Sequence, residues 1–181
     1  MNPTFHLCGP EDLTLLHTLS CRTFRETFAE RNTAADLQAY LDRAYHPDKL
    51  RAELENKYTQ FYFLLSGETP AGYIKLNEAP AQTEFQDPQS LEIERIYIAR
   101  PYQGRGYGFR LIGHARACAQ QRKKAYIWLG VWEQNEKAIA FYKRQGFYKI
   151  GTHAFVVGSD TQTDDIMRLD LLPCSREEPS G

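Results

Sequence analysis

The sequence predicts a single α+β domain, and three observations predict it. Residues 91–122 read as a strand that runs into a glycine-rich turn and then a helix. Residues 61–76 read as two strands joined by a tight hairpin turn. The chain has 181 residues, 42% of them hydrophobic and 25% charged, the size and balance of one globular core. A net charge of −1 gives no reason to expect nucleic acid or an anionic membrane surface as partner. No apolar run approaches the roughly eighteen residues of a membrane span, and no charged-then-apolar leader opens the chain. A cytoplasmic location is therefore expected. Cys8, Cys21, Cys118 and Cys174 are scattered without a C-x-x-C pair. That argues against a disulfide framework or a zinc site, and no metal is expected.

Taken in order, Thr4–Leu7 forms a short first strand, and Pro10-Glu11-Asp12 opens an amphipathic helix through Leu13, Leu16, Leu19, Phe24 and Phe28. A second helix covers residues 34–44 with Leu37, Tyr40 and Leu41 on one face. His46-Pro47 breaks it, and Leu50 to Leu54 make a third, short helix. Strands follow at Phe61–Leu65 and Ala71–Leu76 around the turn Ser66-Gly67-Glu68-Thr69-Pro70. A polar loop, residues 79–90, leads to the strand Leu91–Ile98. After the glycine turn, Phe109 to Arg122 is helical, with Leu111, Ile112, Ala115, Cys118 and Ala119 at helical spacing. Tyr126–Trp132 is a strand, and Asn135 is the N-cap of a helix that ends at Gly146. Phe147–Val157 and Asp164–Leu171 are the last strands, separated by a turn at Gly158-Ser159-Asp160. The domain spans residues 3–172, and Pro173–Gly181 is a loose polar tail.

The turn Gln103-Gly104-Arg105-Gly106-Tyr107-Gly108 is the most specific feature. A strand feeding such a turn at a helix start presents unpaired backbone N–H groups at the positive end of the helix dipole, which is an anion site. Its glycines let the backbone approach a phosphate without a Cβ in the way. A P-loop would need Lys-Ser/Thr after the last glycine, where Phe109-Arg110 stands. A dinucleotide fingerprint would need G-x-G-x-x-G and an acidic residue about twenty positions on, ending the next strand. Here the glycines run G-x-G-x-G, and the next carboxylate is Glu133.

Gln-x-x-Gly-x-Gly after a strand resembles the acyl-CoA pyrophosphate loop of the GCN5-related N-acetyltransferases (GNAT). The run from Asn135 to Phe147, Asn-x-x-Ala-x-x-Phe-Tyr-x-x-x-Gly-Phe, is similar to the second acyl-CoA motif of the same family. The resemblance covers residues 3–172. It implies the GNAT fold, a mixed and mostly antiparallel sheet flanked by helices. It implies acetyl-CoA as cosubstrate, contacted by Ile96, Tyr97 and Ile98 on the strand, Gln103, Gly104, Arg105, Gly106, Tyr107, Gly108 and Phe109 in the turn, and Asn135, Lys137 and Tyr142 on the following helix. Tyr142 would sit by the thioester sulfur as the acid for the departing thiolate.

Acyl transfer from a thioester to an amine needs a proton acceptor as well, because a primary ammonium has no lone pair at neutral pH. In the family a glutamate on the strand before the loop often serves. Glu92 and Glu94 both qualify, and strand alternation places both on one face with Ile96 and Ile98. A gapless count from the glycine turn favours Glu92, with Glu94 open. His153 has suitable chemistry but stands alone on a strand, where a structural role is more common. The strand segments at 91–98 and 127–133, with residues 160–167, resemble bacterial spermidine/spermine acetyltransferases. That implies a polyamine or another small primary amine as acceptor, held by carboxylates such as Glu26, Glu30, Asp36, Asp160, Asp164 and Asp165. A peptide, a protein N-terminus or an antibiotic amine is the alternative acceptor. A CoA-binding module without catalysis and a nucleotide-binding protein are the readings from other classes, and a homodimer stays open.

Overall fold

Apolar residues at three- and four-residue spacing and at alternate positions sort this chain into helices and strands whose buried faces meet on both sides of one sheet. The structure, a computed structural model, describes residues 3–157 and 160–171. The turn expected at Gly158-Ser159 and the tail Pro173–Gly181, with Cys174, lie outside the described residues. The strands are β1 Thr4–Leu7, β2 Thr59–Ser66, β3 Thr69–Asn77, β4 Ser90–Ile98, β5 Tyr126–Trp132, β6 Tyr148–Val157 and β7 Asp160–Asp170. The helices are α1 Leu13–Phe28, α2 Ala34–Ala44, α3 Pro47–Glu55, α4 Tyr107–Gln121 and α5 Glu136–Arg144. Sheet order is β1-β2-β3-β4-β5-β7-β6. Among the described pairings only β4–β5 is parallel, as its connection through a helix requires.

Two cores sandwich the sheet. On one face Leu111, Ile112 and Ala115 of α4 and Tyr142 of α5 pack on Ile74, Leu76, Leu91, Ile93, Ile127, Leu129 and Met167. On the other, Leu16, Leu19, Phe24, Leu37, Leu41 and Leu50 of α1–α3 pack on Phe61, Phe63 and Tyr73. The expected hairpin is a two-residue turn, with Ser66 opposite Thr69 and Gly67 at φ 66°.

Most strand ends shift by one or two residues, and three boundary differences have a clear physical cause. His46-Pro47 does end α2, but α3 then runs the full nine residues Pro47–Glu55. The His46 ring accepts from the Asp48 N–H at 3.2 Å, and Pro47 at the first turn gives up only an N–H with no helical partner. Strand β7 begins at Asp160 rather than Asp164, because the polar residues Thr161, Gln162 and Thr163 pair with β6 through backbone bonds that leave no hydrophobic signal. Helix α4 starts at Tyr107, two residues before the expected Phe109, because Gly106 caps it in the left-handed region at φ 78°.

Candidate active site

The glycine turn leaves backbone N–H groups free at the start of α4. Gly104 and Gly106 hold φ of 75° and 78°, conformations that side-chain-bearing residues rarely adopt, and a Cβ at either would face open space. The first intrahelical bond of α4 runs from Arg110 N–H to the Gly106 carbonyl, which leaves the N–H groups of Tyr107, Gly108 and Phe109 without helical partners. Gln103 Nε2 donates to the Ile98 carbonyl at 3.0 Å and closes the turn against the end of β4. The Tyr107 hydroxyl donates to Ser66 at 3.1 Å and ties the turn to the β2–β3 hairpin. Arg105 is exposed beside it, and the Phe109 ring is 62% exposed, unusual for so large an apolar group. Gly108 has a different reason to be glycine: a Cβ there would lie 3.1 Å from the Phe141 ring of α5. Its lack of a Cβ thus also lets α4 and α5 pack closely.

Beside this turn the sheet opens. The parallel ladder between β4 and β5 ends at Ile93–Leu129, while β4 continues to Ile98 and β5 to Trp132. Ile96, Tyr97 and Ile98 are consequently only half-buried although their strand lies mid-sheet. These two diverging strands and the α4 N-terminus fit a long thioester carrying a pyrophosphate. Tyr142 approaches from the α4–α5 face, 8% exposed, and burial alone pushes its phenol well above the ordinary range. Tyr97 lies on the opposite face; burial and then neighbouring phenols, Tyr142 among them, push it well above the ordinary value too. Asn135 is the N-cap of α5, its Oδ1 accepting from the Ala138 N–H at 3.2 Å, and Lys137 is exposed on the first turn.

The glutamates are arranged differently from the expectation. A register shift opposite Lys75–Leu76 makes Glu94 an extra residue on β4. Alternation therefore resets: Leu91, Ile93, Ile96 and Ile98 all face the α4 core, and Glu92 and Glu94 do not share a face with Ile96 and Ile98. Both carboxylates lie on the α1–α3 side, where Asn77 Nδ2 donates to Glu92 at 2.9 Å and to Glu94 at 2.6 Å. Glu94 also meets Lys75 at 2.5 Å and Arg95 at 3.4 Å, and Glu53 of α3 bridges Lys75 at 3.1 Å and Arg95 at 3.0 Å. Burial pushes Glu94 up, but these cations outweigh it and hold the carboxyl at about 2. Glu92 is 2% exposed and accepts from the Thr83 N–H at 2.9 Å and from the Thr83 hydroxyl; burial outweighs these bonds and raises it.

Sequence reasoning missed this buried ion cluster, since Glu53 and Lys75 lie far from Glu94 along the chain. It also missed the surroundings of His153, which does not stand alone: its Nδ1 lies 3.2 Å from Glu84 and its Nε2 3.8 Å from Asp164. Of the carboxylates proposed for an acceptor, Glu26 accepts from the Arg100 N–H at 2.8 Å, Asp36 accepts from the Thr33 hydroxyl at 2.7 Å, and Glu30 is exposed. Strand alternation turns Asp165 away from Asp164, and it pairs with Lys149 at 2.6 Å. The Asp160 side chain lies outside what is described. A cleft of about 240 Å³ is lined by Arg31, Trp132, Glu133, Gln162 and Thr163.

A family model, Acetyltransferase (GNAT) family, matches residues 17–147. The chain belongs to that family. This GNAT protein is 39% identical to an uncharacterized N-acetyltransferase in the pepI 3' region of Lactobacillus delbrueckii subsp. lactis, over 90% of this chain and 94% of that one. It is 28% identical to the N-alpha-acetyltransferase RimI of Mycobacterium tuberculosis over 76% and 86% of the two chains. In fold it is similar to the PaiA N-acetyltransferase of Thermoplasma acidophilum in complex with coenzyme A, with TM-score 0.77 at 20% identity over 94% of this chain and all of that one. The chain is an acetyl-CoA-dependent N-acetyltransferase with the GNAT fold. Among the described residues no helix is long and apolar enough to cross a membrane, and no group of three His, Cys, Asp or Glu is arranged to hold a metal ion.

Proposed function

We propose that this GNAT enzyme transfers acetyl from acetyl-CoA to a cationic small primary amine, a polyamine such as spermidine or spermine, by direct attack in a ternary complex. The observation that carries the reading is the open glycine turn at the α4 N-terminus beside strands that part after Ile93 and Leu129. In it, the N–H groups of the Gln103–Phe109 turn and Arg105 take the pyrophosphate, and Phe109 covers the cofactor at the surface. Ile96, Tyr97, Ile98, Asn135 and Lys137 border the pantetheine arm. The Tyr142 hydroxyl, kept protonated by burial, gives its proton to the departing sulfur. Of the two glutamates, Glu92 accepts a proton from the amine nitrogen through water, since its side chain is buried beneath Thr83. Glu94 is held by Lys75 and Arg95 in a form too weakly basic for that task.

The polyamine assignment rests on the sequence resemblance and on three carboxylates, Glu133 in the lining of the cleft and Glu84 and Asp164 beside His153. The test is thiol release from acetyl-CoA against a panel of amines. Spermidine and spermine should outrun a neutral aromatic amine, and their rates should fall with salt as charge attraction is screened beyond about 8–10 Å. Turnover of an alanine-terminated peptide without polyamine turnover would move the acceptor to a peptide N-terminus, the reading suggested by the N-alpha-acetyltransferase relative.

A further inference from the structure

Gly130 is the one position on the α1–α3 face of β5 without a side chain, between Trp128 and Trp132. A Cβ there would lie 3.1 Å from Cε1 of His153 and 3.3 Å from Oδ2 of Asp164. Two titratable groups from β6 and β7 therefore occupy the space that a β5 side chain would fill. Asp164 is 9% exposed, and its Oδ1 has no hydrogen-bond partner. A buried carboxylate oxygen left unpaired costs free energy unless something else completes it. His153 is 27% exposed at its side chain, with Nδ1 beside Glu84 at 3.2 Å and Nε2 facing Asp164 at 3.8 Å. Asp164 is the register partner of Trp132, which lines the 240 Å³ cleft, and Asp164 follows Thr163 of the same lining. The cluster lies on the sheet face opposite Tyr142, against Gly130, the residue after Leu129 at which the β4–β5 ladder ends.

The geometry points to His153 as a catalytic residue of the acetyl transfer, accepting the first proton of the acceptor ammonium at Nε2, with the Glu84 carboxylate placed 3.2 Å from Nδ1 to favour the charged ring and Asp164 binding the ammonium through its free oxygen. This deepens the proposed reaction and rests on it. A protonated amine loses two protons on becoming an amide. The first passes to His153 Nε2, which frees the nitrogen lone pair. The lone pair forms the C–N bond at the thioester carbonyl, the C–S bond breaks, and the sulfur takes the Tyr142 proton. The second nitrogen proton, relayed by Glu92, restores Tyr142, and His153 returns its proton to solvent. The charged groups around the pair are Glu84 from the β3–β4 segment, Glu133 after β5, and Asp165 on the far face of β7 with its Lys149 partner. Burial, opposed by the pull of His153 and reinforced by Asp165 and Glu133, raises the Asp164 carboxyl to about 6.

The test compares wild type with His153→Asn and Glu84→Gln, using acetyl-CoA with three acceptors: spermidine, an alanine-terminated hexapeptide, and hydroxylamine, whose nitrogen is already neutral at pH 7. Acetyl-CoA affinity by calorimetry controls for folding. We expect His153→Asn to lose about a hundredfold in kcat/KM with the cationic acceptor, the lower end of general-base effects. The loss should shrink as pH rises and solution supplies free amine, and should be under about fivefold with hydroxylamine. Glu84→Gln should show the same pattern, smaller. Equal losses with cationic and neutral acceptors, or a pH profile unchanged in His153→Asn, would overturn the assignment and leave His153 a packing residue. If the peptide is turned over and spermidine is not, the polyamine acceptor fails, and His153 is judged on the peptide-to-hydroxylamine ratio.

Discussion

Replacing Glu94 by Gln separates a structural carboxylate from a catalytic one. Its side chain is 19% exposed and meets Lys75 at 2.5 Å, Arg95 at 3.4 Å and the Asn77 amide at 2.6 Å. Burial would raise the carboxyl; the two cations and the amide instead bring it from an ordinary 4.5 to about 2. That drop corresponds to about 3 kcal/mol of stability in the ionised form. Glutamine keeps the shape and the Asn77 contact but leaves Lys75 and Arg95 to share Glu53 alone, and breaking buried pairs costs about 3–5 kcal/mol. We therefore expect Glu94→Gln to lose about 3 kcal/mol in urea denaturation at pH 7. Because the folded value is depressed, the stabilisation is fully present above 4.5 and is lost as pH falls through about 2. The gap between wild type and variant should accordingly hold above pH 5 and narrow steadily in acid. Turnover per folded molecule should change little. A variant as stable as wild type at pH 7 whose kcat falls a hundredfold would refute this reasoning and make Glu94 the base.

Tyr142→Phe should keep acetyl-CoA affinity by calorimetry and lower kcat about a hundredfold when chemistry limits the rate; near wild-type turnover would return Tyr142 to the core. Arg105→Glu, an exposed change, should weaken acetyl-CoA at least tenfold, about 1.4 kcal/mol, with an unchanged urea midpoint, and an unchanged affinity would remove the turn from the cofactor site. Gly108→Ala should cost about 1–3 kcal/mol by pressing on Phe141, read as a lowered melting temperature with acetyl-CoA affinity held within a few-fold. Asp164→Asn should be the more stable protein at pH 8 by about 3 kcal/mol. The wild-type carboxyl is raised from 3.8 to about 6, so stability present below 3.8 is lost as pH rises through 6. A gap between the two that did not grow from pH 4 to pH 8 would contradict the burial of that charge.

What the sequence determined by itself are the features carried by contiguous residues. The Gln103–Gly108 turn depends on backbone conformations that glycine alone adopts freely, and the Asn135 cap and the Gly146 stop of α5 are satisfied within one helix. Such local physics is legible without knowing the fold, and with it came the family and its sheet. Only the tertiary structure decided how the acid–base groups are disposed. One extra residue at Glu94 turned the face of β4, which no alternation pattern can reveal from one strand, because the shift exists only relative to β3. Gly108 also packs against Phe141, thirty-three positions on, a contact no local pattern shows. The ion cluster draws on positions 53, 75, 94 and 95, and the His153 site on 84, 130, 153 and 164. Burial and proximity between distant segments set which carboxylates are ionised, paired or left free, and those quantities come into being only when the sheet and its two helical layers close together.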